Sequence, residues 1–131
     1  MGVTPPLQEP TFLVLAALAV EPLHGYGLIQ AVSELSDGRV TLRAGTLYPA
    51  LDRLTTDRLV ELAREEIVDG RLRRYYRLTE LGADRLRAET ERLRRNAELA
   101  DQRLANRERL ATRERMDPTR PPRSRPRPAT T

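Results

Sequence analysis

The sequence predicts a mainly α-helical chain that carries one small β-hairpin. Three observations predict it: apolar residues recur at helical spacing in three segments between Thr11 and Arg58, the period switches to two on either side of Asp69-Gly70, and no Gly or Pro interrupts Ala83 to Asp117. A length of 131 residues allows one compact unit plus appendages and no second full-sized core.

Residues 1–10 hold three prolines and read as an extended lead-in. Phe12, Leu15, Ala16 and Ala19 then mark a first helix over about 11–20, stopped by Glu21-Pro22. A second helix starts near His24, carries Leu28, Ala31, Val32 and Leu35 on one stripe, and ends at Ser36-Asp37-Gly38. Val40-Thr41-Leu42 follows as a candidate short strand. Leu47, Leu51, Leu54 and Arg58 define the third helix. Pro49 requires that helix to start early, at Ala44 or with Thr46 as N-cap.

Beyond Leu59, Val60 and Leu62 alternate with Glu61 and Ala63, and Arg74, Tyr76 and Leu78 alternate with Arg73, Tyr75 and Arg77, with a hairpin turn at Asp69-Gly70. Inward packing of Tyr76 and Leu78 turns Arg73, Tyr75 and Arg77 outward and leaves Arg71 and Arg74 near the tip. Thr79 then caps a long helix whose Leu86, Thr90, Leu93, Ala97, Ala100 and Leu104 form an a/d seam before Arg107. So narrow a stripe on so long a helix needs a partner, most simply its own copy. Residues 117–131, with five prolines and no large apolar side chain, are expected to be disordered.

Twenty-three Arg, with no Lys, face nineteen acids, a net charge of +4. Its distribution is uneven: residues 1–38 carry −4, residues 39–77 +3, residues 78–111 +1 and residues 112–131 +4. The body is therefore neutral, and any affinity for nucleic acid must come from local patches. The absence of Cys excludes disulfide scaffolds, thiolate metal sites and Cys nucleophiles, and the lone His24 leaves a metal site short of ligands. The apolar run Phe12 to Val20 is about half the ~20 residues that cross a bilayer and has no basic region before it. A soluble, cytoplasmic protein with no membrane partner and no cofactor is expected. Adjacent Glu65 and Glu66 on a strand face opposite sides and make no acid/base pair, and no phosphate loop or nucleophile elbow is present, so no enzyme is expected.

Three helices followed by a hairpin make a winged helix-turn-helix, whose third helix enters the DNA major groove while the wing approaches the backbone. The full architecture expected is thus mainly α with a small β-hairpin wing, divided into a lead-in (1–10), a DNA-binding winged helix-turn-helix (11–78), a C-terminal dimerisation helix (79–116) and an Arg/Pro-rich tail (117–131). Arg71, Arg73, Arg74 and Arg77, interleaved with Tyr75 and Tyr76, make a ribbon suited to phosphate.

The strings His24-Gly25-Tyr26-Gly27, Gly45-Thr46-Leu47-Tyr48-Pro49-Ala50-Leu51-Asp52-Arg53-Leu54, Leu59-Val60-Glu61 and Arg73-Arg74-Tyr75-Tyr76-Arg77-Leu78-Thr79 with Gly82 resemble the PadR family of transcriptional regulators over residues 11–82. That resemblance implies a dimeric repressor on a pseudo-palindromic double-stranded operator, with the Thr46 and Tyr48 region presented to DNA, the wing arginines on the backbone, and release by a small-molecule effector. The single C-terminal helix is similar to that of the short-chain branch, where it pairs with its mate and docks near helix one of the other subunit. Members that sandwich flat drugs use a Trp on that helix, and this chain has none. The family commonly has Gly where Arg58 stands, so helix three either ends without a left-handed Gly or runs slightly further.

The candidate DNA-binding residues are Arg43, Thr46, Tyr48, Arg53, Arg71, Arg73 and Arg74; the candidate dimerisation residues are Leu86, Leu93, Ala97, Ala100 and Leu104. Each competes with a plainer role: capping for Thr46, half-buried packing for Tyr48, a solvated or salt-bridged position for Arg53, and pairing with Glu61, Glu65 or Glu66 for the wing arginines. His24 reads as a helix-start or packing residue, and Tyr26 as core or as a hydroxyl bridging helices. The rival function is a protein-interaction winged helix that pairs through its long helix without binding an operator. A metal-sensing repressor is disfavoured by the missing ligands.

Overall fold

The computed structural model describes residues 5–116 and Thr119. Residues 1–4 of the lead-in, and the tail expected over 117–131 apart from Thr119, lie outside the described residues. The elements in chain order are α1 (Glu9–Leu18), β1 (Leu23–His24), α2 (Gly25–Leu35), α3 (Ala44–Thr56), β2 (Val60–Val68), β3 (Arg71–Leu78) and α4 (Glu80–Met116). This is a mainly α winged helix-turn-helix with a long C-terminal helix. The chain divides between Leu93 and Arg94 into two units.

In the first unit, α1, α2, α3 and the base of β2 meet in one core built from Val14, Leu15, Ala17, Leu18, Leu28, Val32, Leu42, Leu47, Leu51, Leu54 and Val60. The α1 stripe differs from the expected one, which shared only Leu15 with this core. Its sequence is apolar almost throughout, so periodicity alone does not select a face. The helix also starts at Glu9, earlier than expected, because Pro10 in its first turn has no N–H to leave unsatisfied. In α2, Leu28 and Val32 are buried as expected, whereas Leu35 is 56% exposed.

Each of α2 and α3 ends in a Schellman motif. The Gly38 N–H donates to the Ser33 carbonyl (2.7 Å) and the Asp37 N–H to Glu34 (3.2 Å); the Leu59 N–H donates to Leu54 (2.9 Å) and the Arg58 N–H to Thr55 (3.0 Å). Arg58 thus takes the left-handed position itself, at φ 62°. Leu59 then packs on the core.

The expected strand at 40–42 does not form. The buried Ser36 hydroxyl donates to the Val32 carbonyl (2.8 Å), and its oxygen accepts from the Val40 N–H (3.0 Å), so the side chain meets the backbone need a strand partner would have met. Leu23–His24 takes the third place in the sheet instead, giving the antiparallel order β1-β3-β2 with Leu23 opposite Tyr76 and His24 opposite Tyr75. The β2–β3 hairpin turns at Asp69 (φ 50°) and Gly70 (φ 76°), the two positive dihedrals of a type I′ turn. A register shift between Leu62 and Arg64 places Arg64 opposite Tyr75, Glu65 opposite Arg74 and Glu66 opposite Arg73.

Thr79 caps α4: its Oγ1 accepts from the Gly82 N–H (2.9 Å) and donates to the Arg58 carbonyl (2.7 Å). Gly82 lies so close to the Leu59 carbonyl that any Cβ there would overlap it. Leu86, expected on the dimer seam, is half-buried and packs against the core of its own chain. Leu93, Ala97, Ala100 and Leu104 are exposed. Among the described residues no helix is long and apolar enough to cross a membrane.

Candidate nucleic-acid interface

The interface is built on α3 and the wing. Arg43, with extended backbone, occupies the N-cap of α3, and the Thr46 and Leu47 N–H groups donate to its carbonyl (3.0 and 2.9 Å). Thr46 is therefore in the first turn and not the cap, which leaves its exposed side chain free of that duty. Pro49 is inside the helix and has no N–H to give the Gly45 carbonyl.

Leu47, Leu51 and Leu54 are buried, so the opposite face of α3 is the outward one. At about 100° per residue, Tyr48 lies on one flank of that face and Thr46 with Arg53 on the other. Gly45, Pro49 and Thr56, together with the exposed carboxylate of Asp52, fall between them. The flank of Tyr48 turns toward the wing. Its ring lies over Gly25 at the start of α2, where a Cβ would overlap the phenol oxygen. Glycine at this position is what lets α3 and α2 hold Tyr48 between them.

Tyr48, His24, Gly25 and Tyr26 face Arg71, Leu72, Arg73 and Arg74 across a cleft of about 520 Å³ that no carboxylate among the described residues lines. Tyr48 is 49% exposed and Tyr26 64% exposed. Tyr26 is thus neither core nor a bridge between helices. Its place on the helix foretells this, since it is two residues from the buried Leu28 and so turns away from the α2 stripe. His24 and Tyr26 are members of the site that sequence reasoning misses, because a lone His and a Tyr at a helix start carry the same local signal as packing residues.

The arginines of the wing are not equivalent. Arg77 pairs with Glu61 at 2.8 Å and Arg74 with Glu65 at 3.5 Å. Arg74, expected near the tip, sits three residues along β3 from Arg71, which adjoins the turn. Among the described residues neither Arg71 nor Arg73 has a carboxylate within salt-bridge distance. The expected row of four unopposed cations is thus reduced to two, a consequence of the facing glutamates on β2. Arg64 rests 4.0 Å from the centre of the Tyr75 ring, and the His24 ring lies 5.2 Å from the same ring. Burial, and then the nearby Arg73 cation, hold the His24 imidazole below its ordinary pKa, with Glu66 acting the other way.

Arg53 does not join this cleft. It lines a separate groove of about 650 Å³ with Leu7, Leu54, Asp57 and Leu81. The N-terminal segment beside that groove is held by Glu89, whose buried carboxylate pairs with Arg92 and accepts from the Leu7 N–H. No group of three or more His, Cys, Asp or Glu among the described residues is placed to hold a metal ion.

Three helices, a cationic β-hairpin and a cleft between the third helix and that hairpin define the winged helix-turn-helix class of transcriptional regulators. Residues 14–88 match the transcriptional regulator PadR-like family, and the chain belongs to it. The family is one of regulators, not enzymes. A transcriptional regulator of Mycobacterium tuberculosis is 42% identical over 69 residues, covering 53% of this chain and 61% of that protein. The chain spans less than two thirds of the length of the curated relatives it matches. A PadR family transcriptional regulator from Eggerthella lenta superposes with a TM-score of 0.60 at 30% identity, covering 72% of this chain and 80% of that one. Bacillus subtilis PadR in complex with operator DNA shares the fold, with a TM-score of 0.56 at 22% identity over 62% of this chain and 47% of that one.

Proposed function

We propose that this regulator acts as a cytoplasmic homodimeric repressor that grips a pseudo-palindromic operator with two copies of α3 about one DNA turn apart. The observation that carries the reading is the cleft in which Tyr48 of α3 faces Arg71, Arg73 and Arg74 of the wing with no carboxylate among the described residues in its lining. In this reading the segment Arg43 to Arg53 supplies base readout, with Thr46 and Arg53 on one flank of α3 and Tyr48 on the other. Arg71 and Arg73 neutralise backbone phosphates directly. Arg74 does so in exchange for Glu65.

The homodimer rests on Leu93, Ala97, Ala100 and Leu104, an apolar line that is exposed in the chain by itself. Leu86 contributes little, being packed on its own core. Release by a small-molecule effector belongs to the same reading through the family resemblance.

The test combines solution mass with binding to a duplex from upstream of the protein's own gene, measured by fluorescence anisotropy against a scrambled duplex over a salt series. A dimer with salt-sensitive preference for the upstream duplex supports the reading. A chain that pairs only with a different subunit and has no DNA affinity supports the interaction module instead.

A further inference from the structure

The start of α2, His24 to Tyr26, forms one wall of the cleft. Three guanidinium groups, two phenol hydroxyls and the His24 imidazole line the space. All can donate hydrogen bonds, the imidazole from one ring nitrogen when neutral and from both when protonated; none of the lining residues is acidic, although Glu65 pairs with Arg74 and Glu66 acts on His24 from β2. Arg71 and Arg73 lie two residues apart on one strand, hence on one face, with no carboxylate partner among the described residues. A tetrahedral anion with two free oxygens fits this donor set: forked guanidinium N–H groups on one side and the Tyr26 and Tyr48 hydroxyls on the other.

We propose that this cleft seats one DNA-backbone phosphodiester, and that His24 takes up a proton as the phosphate enters. The inference rests on the DNA-binding reading above. The groups that face His24 are Tyr75 and Arg73 from β3, with Arg71 and Arg74 of the same strand in the cleft lining, Glu66 from β2 with Arg64 beyond the shared Tyr75 ring, and Tyr26 and Tyr48 across the cleft. In the free protein, partial burial and the Arg73 cation both oppose an imidazolium. A phosphate beside Arg73 cancels that repulsion and adds an attraction of its own, so protonation and DNA binding strengthen each other. By linkage, each unit by which DNA raises the His24 pKa is a tenfold tighter complex for the protonated form.

His24 is the sole histidine, so its ring C–H signals in a proton NMR spectrum of the full chain are unambiguous. They are to be followed through a pH titration of the free protein, of the protein with inorganic phosphate, and of the protein with the upstream duplex. The expected result is a midpoint about one unit higher with duplex than without, a far smaller shift with inorganic phosphate, and duplex affinity that rises about tenfold per subunit on acidification. His24→Gln is expected to flatten that rise. Tight duplex binding with an unmoved midpoint overturns the phosphate seat and leaves the regulator reading standing. An equal shift with inorganic phosphate overturns the commitment to a DNA phosphodiester. Absence of duplex binding overturns both the seat and the reading on which it rests.

Discussion

Replacing Arg73 by Ala removes a guanidinium that lines the cleft and has no carboxylate partner among the described residues, whereas replacing Arg74 by Ala removes one already paired with Glu65 at 3.5 Å. The two substitutions therefore differ in effect despite their adjacency. Each phosphate neutralised by a free cation contributes about 0.9 to the slope of log K against log salt. A dimer loses that contact twice, so Arg73→Ala lowers the slope by roughly 1.8. Between about 50 and 200 mM salt, a fourfold change, the wild type therefore loses roughly 12-fold more affinity than the variant. Arg74→Ala lowers the slope by less, because binding exchanges one anion for another at that side chain. Glu65→Gln, which releases Arg74, raises the slope toward one further contact per subunit. Anisotropy titrations of all three variants on the upstream duplex measure this. An unchanged slope for Arg73→Ala together with a full loss for Arg74→Ala would refute the assignment of free and occupied cations.

Four further outcomes follow from the same geometry. Arg58 holds a left-handed backbone that costs a residue with a Cβ about 1–2 kcal/mol, so Arg58→Gly is expected to stabilise the fold by about 0.5–1 kcal/mol, raising the thermal midpoint by roughly 2–5 °C. Leu104 is 54% exposed, and its burial at a dimer seam is worth roughly 1–1.5 kcal/mol per copy, so Leu104→Arg is expected to weaken association at least ~30-fold by sedimentation equilibrium; Leu110→Arg, off the seam, is expected to leave it unchanged. Gly25→Ala displaces the Tyr48 ring, and a double-mutant cycle with Tyr48→Ala on duplex affinity should show a coupling of roughly 0.5–3 kcal/mol, the Gly25 change adding nothing once the ring is gone. Pairing with Arg92 holds the Glu89 carboxyl below its ordinary pKa, so its contribution is complete above about pH 4.5 and is lost as the pH falls through the folded value; denaturation midpoints of Glu89→Gln should therefore decline less than those of wild type between about pH 5 and 3.

The regular elements were legible in the sequence because their signals are local. The Leu47, Leu51, Leu54 ridge, the Asp69-Gly70 turn and the Thr79 cap each depend on residues a few positions apart, and each appears as read. Long-range choices were less legible. The third strand at Leu23–His24 is set by pairing with Tyr75 and Tyr76, some fifty residues away, and nothing in a two-residue segment announces it. Ser36 could be read as part of a helix stop, but not as the group that would occupy the Val40 backbone. On the wing the positive run was evident. Which of its members are neutralised depends on the hairpin register, shifted between Leu62 and Arg64, and a strict alternation could not supply that shift.

The candidate interface divided in the same way. The wing arginines follow from composition and period and Tyr48 from the family resemblance, and Tyr48, Arg71, Arg73 and Arg74 line one cleft. Arg53, a candidate by its place on α3, lines another groove. Leu86 fits the heptad and falls where α4 still covers the core of its own chain. A heptad names a face, not the surface that meets it.

Hydroxyl-radical footprinting of the purified protein on DNA from upstream of its own gene tests the central claim most directly. Two protected patches about one helical turn apart, related by a pseudo-dyad and fading together when Arg71 and Arg73 are replaced by Ala, are the predicted result. A single patch, or uniform cleavage at protein concentrations that saturate self-association, would contradict it.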